Sequence, residues 1–224
     1  MRKSIFLSIV GAIALAMTVA SCNSKSNKPT IEPLGDSGLS VITTPRGELG
    51  LLKGDETIVT PSIDNKSFVL EANFVLAKYD DGSQVVLRLF DPETKQEVMT
   101  GDSIINTGSY FIGTHSNGMS TIYVPASKFR FAGQQFAVSG SDAVSVFNGK
   151  ITVYVDGKEA IPATSDYQKI ALLKGKGDIL VFKDSKWFRM TIGKDKAVAL
   201  APKELKEFKS KRDWDDSSPV MILE

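Results

Sequence analysis

Few side chains of this chain are equipped for covalent chemistry, and the most distinctive is a lone thiol. Cys22 is the one cysteine among 224 residues, and His115 is the one histidine. A single cysteine closes no intramolecular disulfide, and one thiolate with one imidazole makes no multi-Cys or multi-His metal site. Ser–His nucleophilic catalysis would have to use His115, whose neighbours Thr114, Ser116, Asn117 and Gly118 form a polar turn. No Gly-x-Ser-x-Gly elbow accompanies it, so it reads as a solvated loop histidine. Asp80, Asp81, Asp91 and Asp102 stand in turn-like contexts, where Asp bonds its own backbone. Asp213, Asp215 and Asp216 are the one cluster of hard oxygen ligands that would suit Ca²⁺. They lack the EF-hand spacing and follow Lys211 and Arg212, so a solvated acidic turn is the preferred reading. Trp187, in Lys186-Trp187-Phe188-Arg189, is the candidate ligand-binding platform, on the premise that one of the two adjacent rings faces solvent. Gly175-Lys176-Gly177 has no helix after it, so it is a turn and not a phosphate loop. No catalytic set, no metal and no cofactor are expected.

The surroundings of Cys22 give it a role. Met1-Arg2-Lys3-Ser4 is basic, Ile5 to Ala20 is uncharged and largely apolar, and polar residues (Asn23, Ser24, Lys25) follow the cysteine at once. A basic start, a short apolar core and small residues before a cleavage point mark a secretory signal peptide. The run is also short for a membrane span, which needs roughly 20 apolar residues. Val19-Ala20-Ser21-Cys22 resembles the lipobox of bacterial lipoproteins. That resemblance implies a diacylglyceryl group on the Cys22 sulfur, cleavage before Cys22, acylation of the new amino terminus, and attachment to the bacterial envelope, at the outer membrane. It covers residues 1–22 alone.

Charge excludes one class of partner. Loss of residues 1–21 would remove Arg2 and Lys3 from 27 basic residues facing 26 acidic ones, leaving a net charge near −1. A nucleic-acid binder would show a basic face, so no nucleic-acid partner is expected. No polybasic segment is present to bind lipid headgroups either, so membrane attachment rests on the acyl chains.

The elements that must position any site are strands. Residues 22–45 are rich in Ser, Asn, Pro and Thr and read as a lipidated tether, with the folded part beginning at 46. Phe68–Leu76 alternates, with Glu71 and Asn73 on one side and Phe68, Leu70, Ala72, Phe74 and Leu76 on the other, which predicts one half-buried strand. Asp80-Asp81-Gly82-Ser83 then predicts a turn into Gln84–Phe90. Asn148-Gly149 between Ala143–Phe147 and Lys150–Val155 predicts a type I′ hairpin. Its register would set Val144 against Val153 and Val146 against Ile151 on one face, with Ser145 against Thr152 on the other. Further strands are expected at 57–59, 109–112, 121–124, 135–138, 170–173, 179–182 and 187–192, with a last one near 219–223. Pro202–Lys209 predicts one short helix, since Pro suits its first position and Leu205 and Phe208 share a face. Leu51-Leu52-Lys53-Gly54 and Leu172-Leu173-Lys174-Gly175 echo one another too briefly to define a repeat.

The sequence therefore predicts an all-β chain: an antiparallel β-sandwich-like body over 46–164, and a smaller strand-rich portion over 165–224 with the helix. Such a body behind a lipid signal points to a membrane-anchored envelope protein acting as a non-catalytic binding or assembly module, with an envelope protein or a glycan as ligand. The rival reading is a glycan-acting envelope hydrolase using paired carboxylates that one sequence cannot pair.

Overall fold

The computed structural model describes residues 27–194, 196–211 and 213–224. Cys22 and the signal-like segment lie outside the described residues. The chain is all-β, built from five consecutive sheets. Sheet 1 holds β1 (Thr30–Pro33), β2 (Leu39–Thr43), β3 (Leu49–Lys53) and β4 (Glu56–Ser62). Sheet 2 holds β5 (Asn65–Glu71), β6 (Phe74–Asp80), β7 (Val85–Asp91) and β8 (Gln96–Gly101). Sheet 3 holds β9 (Ser103–Asn106), β10 (Phe111–Thr114), β11 (Ser120–Val124) and β12 (Phe129–Gly133). Sheet 4 holds β13 (Gln135–Ser139), β14 (Asp142–Phe147), β15 (Lys150–Val155) and β16 (Lys158–Thr164). Sheet 5 holds β17 (Lys169–Leu173), β18 (Asp178–Lys183), β19 (Lys186–Thr191), β20 (Ala197–Ala199) and, after helix α1 (Pro202–Lys209), β21 (Val220–Leu223). Sheets 1–4 are simple antiparallel meanders. Sheet 5 differs in one respect: β21 returns to pair parallel with β17.

The sheets pack face to face in chain order. Leu39 and Leu51 of sheet 1 meet Phe68, Val75 and Phe90 of sheet 2. Leu89 and Met99 on the far side of sheet 2 meet Phe111 and Tyr123 of sheet 3. Ile122 and Phe131 then meet Ala143 of sheet 4. Val144 and Val153 meet Ile170, Ile179 and Ile222 of sheet 5. Each such fully buried side chain contributes about 1.5–3 kcal/mol over its exposed state. β-Propellers use the same four-stranded unit but close it into a ring. Here no hydrophobic cluster joins sheet 1 to sheet 5 among the described residues.

Two of the passages between sheets are single-residue bends in one long strand. β8 becomes β9 across Asp102, and β12 becomes β13 across Gln134. Strands that switch sheets in this way turn the corners of orthogonally packed layers. The first bend needs glycine. A Cβ on Gly101 would lie 2.6 Å from the Ser103 carbonyl oxygen and 3.0 Å from the Gly113 Cα.

Several local expectations hold. The Asn148-Gly149 hairpin has φ of 49° and 73°, and its register pairs Val144 with Val153, Ser145 with Thr152 and Val146 with Ile151. Ser145 and Thr152 are nevertheless buried, because sheet 3 covers their face. The helix spans Pro202–Lys209, with Glu204 in its first turn and Lys206 and Lys209 in its last, each sign suited to the helix dipole. The turn after β6 forms as well: the Asp80 Oδ1 accepts from the Gly82 N–H, and the Asp81 Oδ1 from the Ser83 and Gln84 N–H groups.

Two expectations fail. The alternating run Phe68–Leu76 is not one strand; it folds back at Ala72-Asn73, with Ala72 at φ 53°. Phe68 and Val75 then face sheet 1 while Phe74 and Leu76 face sheet 3. A sheet covered on both sides has no polar face to keep in phase, so alternation does not locate its turns. The tether expected over 22–45 also contains structure, since β1 and β2 lie within it. Leu39 and Val41 reach the core shared with sheet 2, which a solvated linker would not.

Candidate functional site

The residues singled out by chemistry do not gather in one place. His115 sits at the tip between β10 and β11, its Nε2 3.0 Å from the Thr121 hydroxyl. Asp91 is buried, and its Oδ1 accepts from the backbone N–H of Glu93 at 2.8 Å, a turn-capping role. Asp102 accepts from the Ser116 N–H, fastening the His115 loop to the bend between sheets 2 and 3. Glu71 accepts from the Asn106 side chain at 3.0 Å and so links sheets 2 and 3.

Trp187 is not a platform. It is 8% exposed and lies inside a cluster formed by Leu180, Phe208, Met221 and Leu223, with the Trp214 ring 5.0 Å away. Helix α1 and the segment after it cover that face of sheet 5, and no local pattern around Lys186–Arg189 announces a cover that comes from twenty residues downstream. Phe188, on the opposite face, packs towards sheet 4. No stacking surface for a sugar is presented by either ring.

The three C-terminal acids part company. Asp216 pairs with Lys209 at 3.0 Å, and this ammonium group holds its carboxyl below the usual range. Asp215 accepts from the Ser217 hydroxyl and N–H, which lowers its pKa in the same sense. Asp213 and Asp215 line a shallow cleft of about 370 Å³ beside β13 and β21. No trio of metal-binding side chains converges among the described residues. The electrostatic feature that sequence reading missed is Asp178, on β18. It accepts from the Thr191 hydroxyl at 2.8 Å and from Arg189 at 2.6 Å, and these bonds depress its pKa in that order. Arg189 also reaches Glu204 on α1 at 3.6 Å. The residues stand 11 and 13 positions from Asp178, so only the β18–β19 register could have revealed them.

A polar groove runs along the seam between sheets 2 and 3. Two adjoining clefts of about 420 and 350 Å³ share Glu97 on β8 and Arg130 on β12. Alternation places Arg130 and Ala132 outward between the buried Phe129, Phe131 and Gly133. Arg130 donates from Nη1 to the Val98 carbonyl at 3.2 Å, which lays the guanidinium across the seam. Asp91 and Tyr123, only 5% and 4% exposed, line the same groove. Burial, then the nearby Asp91 charge, raise the Tyr123 pKa, so the phenol keeps its proton and can donate. Lys128, at φ 51° after the short 3₁₀ turn Pro125–Ser127, adds a cation at the rim. A guanidinium, a phenol and carboxylates offer both donors and acceptors, a set that reads hydroxyl-rich or mixed-charge ligands. A roomier cleft of about 600 Å³ near Lys53 and Asn73 has no buried polar group in its wall.

Comparison with known proteins adds little. No family model matches the chain, and no curated protein matches it. Among solved structures it is similar to Hsv2 of Kluyveromyces lactis (13% identity, TM-score 0.26) over 79% of this chain and 62% of that one. It is similar to AztD of Citrobacter koseri (13%, 0.27) over 76% and 57%. It is also similar to PorZ of Porphyromonas gingivalis, a bacterial surface component of the type-IX secretion system (12%, 0.25), over 80% and 27%. The chain spans less than two thirds of each. Likenesses of this size carry no functional argument.

Proposed function

We propose that this chain is a lipid-anchored protein of the bacterial envelope and a non-catalytic module that binds a hydroxyl-rich or mixed-charge ligand in the groove between sheets 2 and 3. The observation that carries the binding reading is the groove itself. Arg130 reaches across the seam to the Val98 carbonyl, and two buried polar residues, Asp91 and Tyr123, line the groove. Preformed polar groups of this kind lower the ordering cost of binding. The anchor reading is supported by the lipobox-like Val19-Ala20-Ser21-Cys22.

Mass spectrometry of the amino-terminal peptide tests the anchor: a diacylglyceryl group on Cys22 is expected, and an unmodified thiol removes it. Titration calorimetry with envelope glycan fragments tests the groove. Heat that disappears in Arg130→Ala is expected, and equal binding by that variant places the ligand elsewhere. Asp91 and Glu97 both line the groove, which is what favours the glycan-hydrolase reading as second choice. Release of reducing ends by the wild type, lost in Glu97→Gln, would establish it over the binding module.

A further inference from the structure

We infer that the outer face of sheet 1 rests on the lipid surface to which Cys22 is attached; this rests on the lipid-anchor reading above. The face is defined by register. Core residues Leu39, Val41, Leu49 and Leu51 point to sheet 2, so their neighbours point away. Ile31 lies opposite Ile42, which lies opposite Gly50; Pro33 lies opposite Ser40, Leu52 and Thr57 in turn. Pro61 closes over Gly50. These positions carry no charge, and none belongs to a hydrophobic cluster among the described residues; Gly50 and Leu52 at the centre are buried, and the exposed apolar surface lies towards the β1 edge. Ile31 is 58% exposed, and Ile63, just past β4, is 59% exposed.

What selects a lipid surface as the occupant is the length of chain between anchor and face. β1 begins at Thr30, eight residues after Cys22. At most about 28 Å of extended chain separates them, against the ~70 Å that a tether running to residue 44 would allow. β1 is therefore the strand held closest to the anchor along the chain, which keeps sheet 1 within reach of the bilayer. A contact too weak to hold a free protein suffices here, because a short linker makes it intramolecular, at an effective concentration of order mM. An uncharged face suits a neutral interface, where each exposed ion would have to be desolvated or snorkel out.

The test uses the full acylated protein in phosphatidylcholine vesicles, with and without brominated acyl chains, after mass spectrometry has verified the lipid on Cys22. Ile31→Trp adds an emitter to the face and, separately, Ile63→Trp adds one in the turn after β4, the wild type supplying the background from Trp187 and Trp214; circular dichroism confirms that each variant folds. Loss of the added emission in brominated vesicles is expected. Added emission that brominated lipid leaves unchanged overturns the inference while the anchor reading stands. The same holds if that emission shifts only with the protein-to-lipid ratio, which would assign the face to a second copy. An unacylated Cys22 overturns both.

Discussion

The two end sheets of the stack solve the same problem differently. Sheet 5 turns one face to sheet 4 and has the other covered from within the chain. Leu205 and Phe208 of α1, with Trp214, close over Ala171, Leu180, Trp187 and Met221. Sheet 1 turns one face to sheet 2, and its outer face has no such cluster among the described residues. Terminal units of stacked architectures need a cap with a polar outer side, and α1 supplies one with Lys203, Glu204, Lys206 and Glu207. The uncharged outer face of sheet 1 has the composition of a surface meant to meet something else. The difference teaches that one end of the stack is closed from within the chain and the other is not, the open face being the one proposed above to rest on lipid.

The comparison breaks first at the capped end. Trp187→Ala should cost about 3–5 kcal/mol, the range for truncating a buried Trp or Phe, read as a lower denaturation midpoint. A loss no larger than for a surface site would show that the cap is not an integral part of the fold. Within sheet 1 the corresponding weak point is backbone crowding. A Cβ on Gly50 would lie 2.8 Å from the Pro61 Cγ and 2.9 Å from its backbone nitrogen, so Gly50→Ala should destabilise by about 1–3 kcal/mol in the same unfolding assay.

A smaller effect comes from acid. Asp178 ties β18 to Arg189 and through it to α1, and its folded pKa is depressed below the ordinary carboxylate value. A depressed carboxylate contributes stability above its unfolded pKa, ~3.9, and that contribution is lost as pH falls through the folded value. Asp216, held by Lys209, acts in the same direction at the same end. Arg189 is 41% exposed, so solvent screens the pair and Asp178→Asn should cost only about 1 kcal/mol. Both tryptophans of the chain lie in the cap cluster. Below pH 4 their emission should therefore shift red before far-UV dichroism falls; simultaneous change would mean that the cap does not loosen separately. The smallest effect belongs to the open end: Ile31→Ser should leave stability within about 0.5 kcal/mol, measured by the same denaturation curves. A larger loss would mean that Ile31 is already covered in the isolated chain.

Local chemistry determined a good part of this protein before any coordinates. Asn148-Gly149 set its own hairpin and register because two positive-φ positions admit one turn geometry. Pro202 and the Leu205–Phe208 spacing set the helix, and Asp80-Asp81-Gly82-Ser83 set its turn, through interactions confined to a few neighbouring residues. Tertiary structure decided the rest. The Phe68–Leu76 run became a hairpin because sheet 2 is buried on both faces, which removes the polar phase that a single-face strand displays. Trp187 went inside because its cover arrives from α1 and Trp214, and the groove formed because β8 and β12, distant in sequence, meet where Arg130 reaches the Val98 carbonyl. A side chain's exposure depends on which element is packed above it, and that is a non-local property that no spacing along the chain encodes.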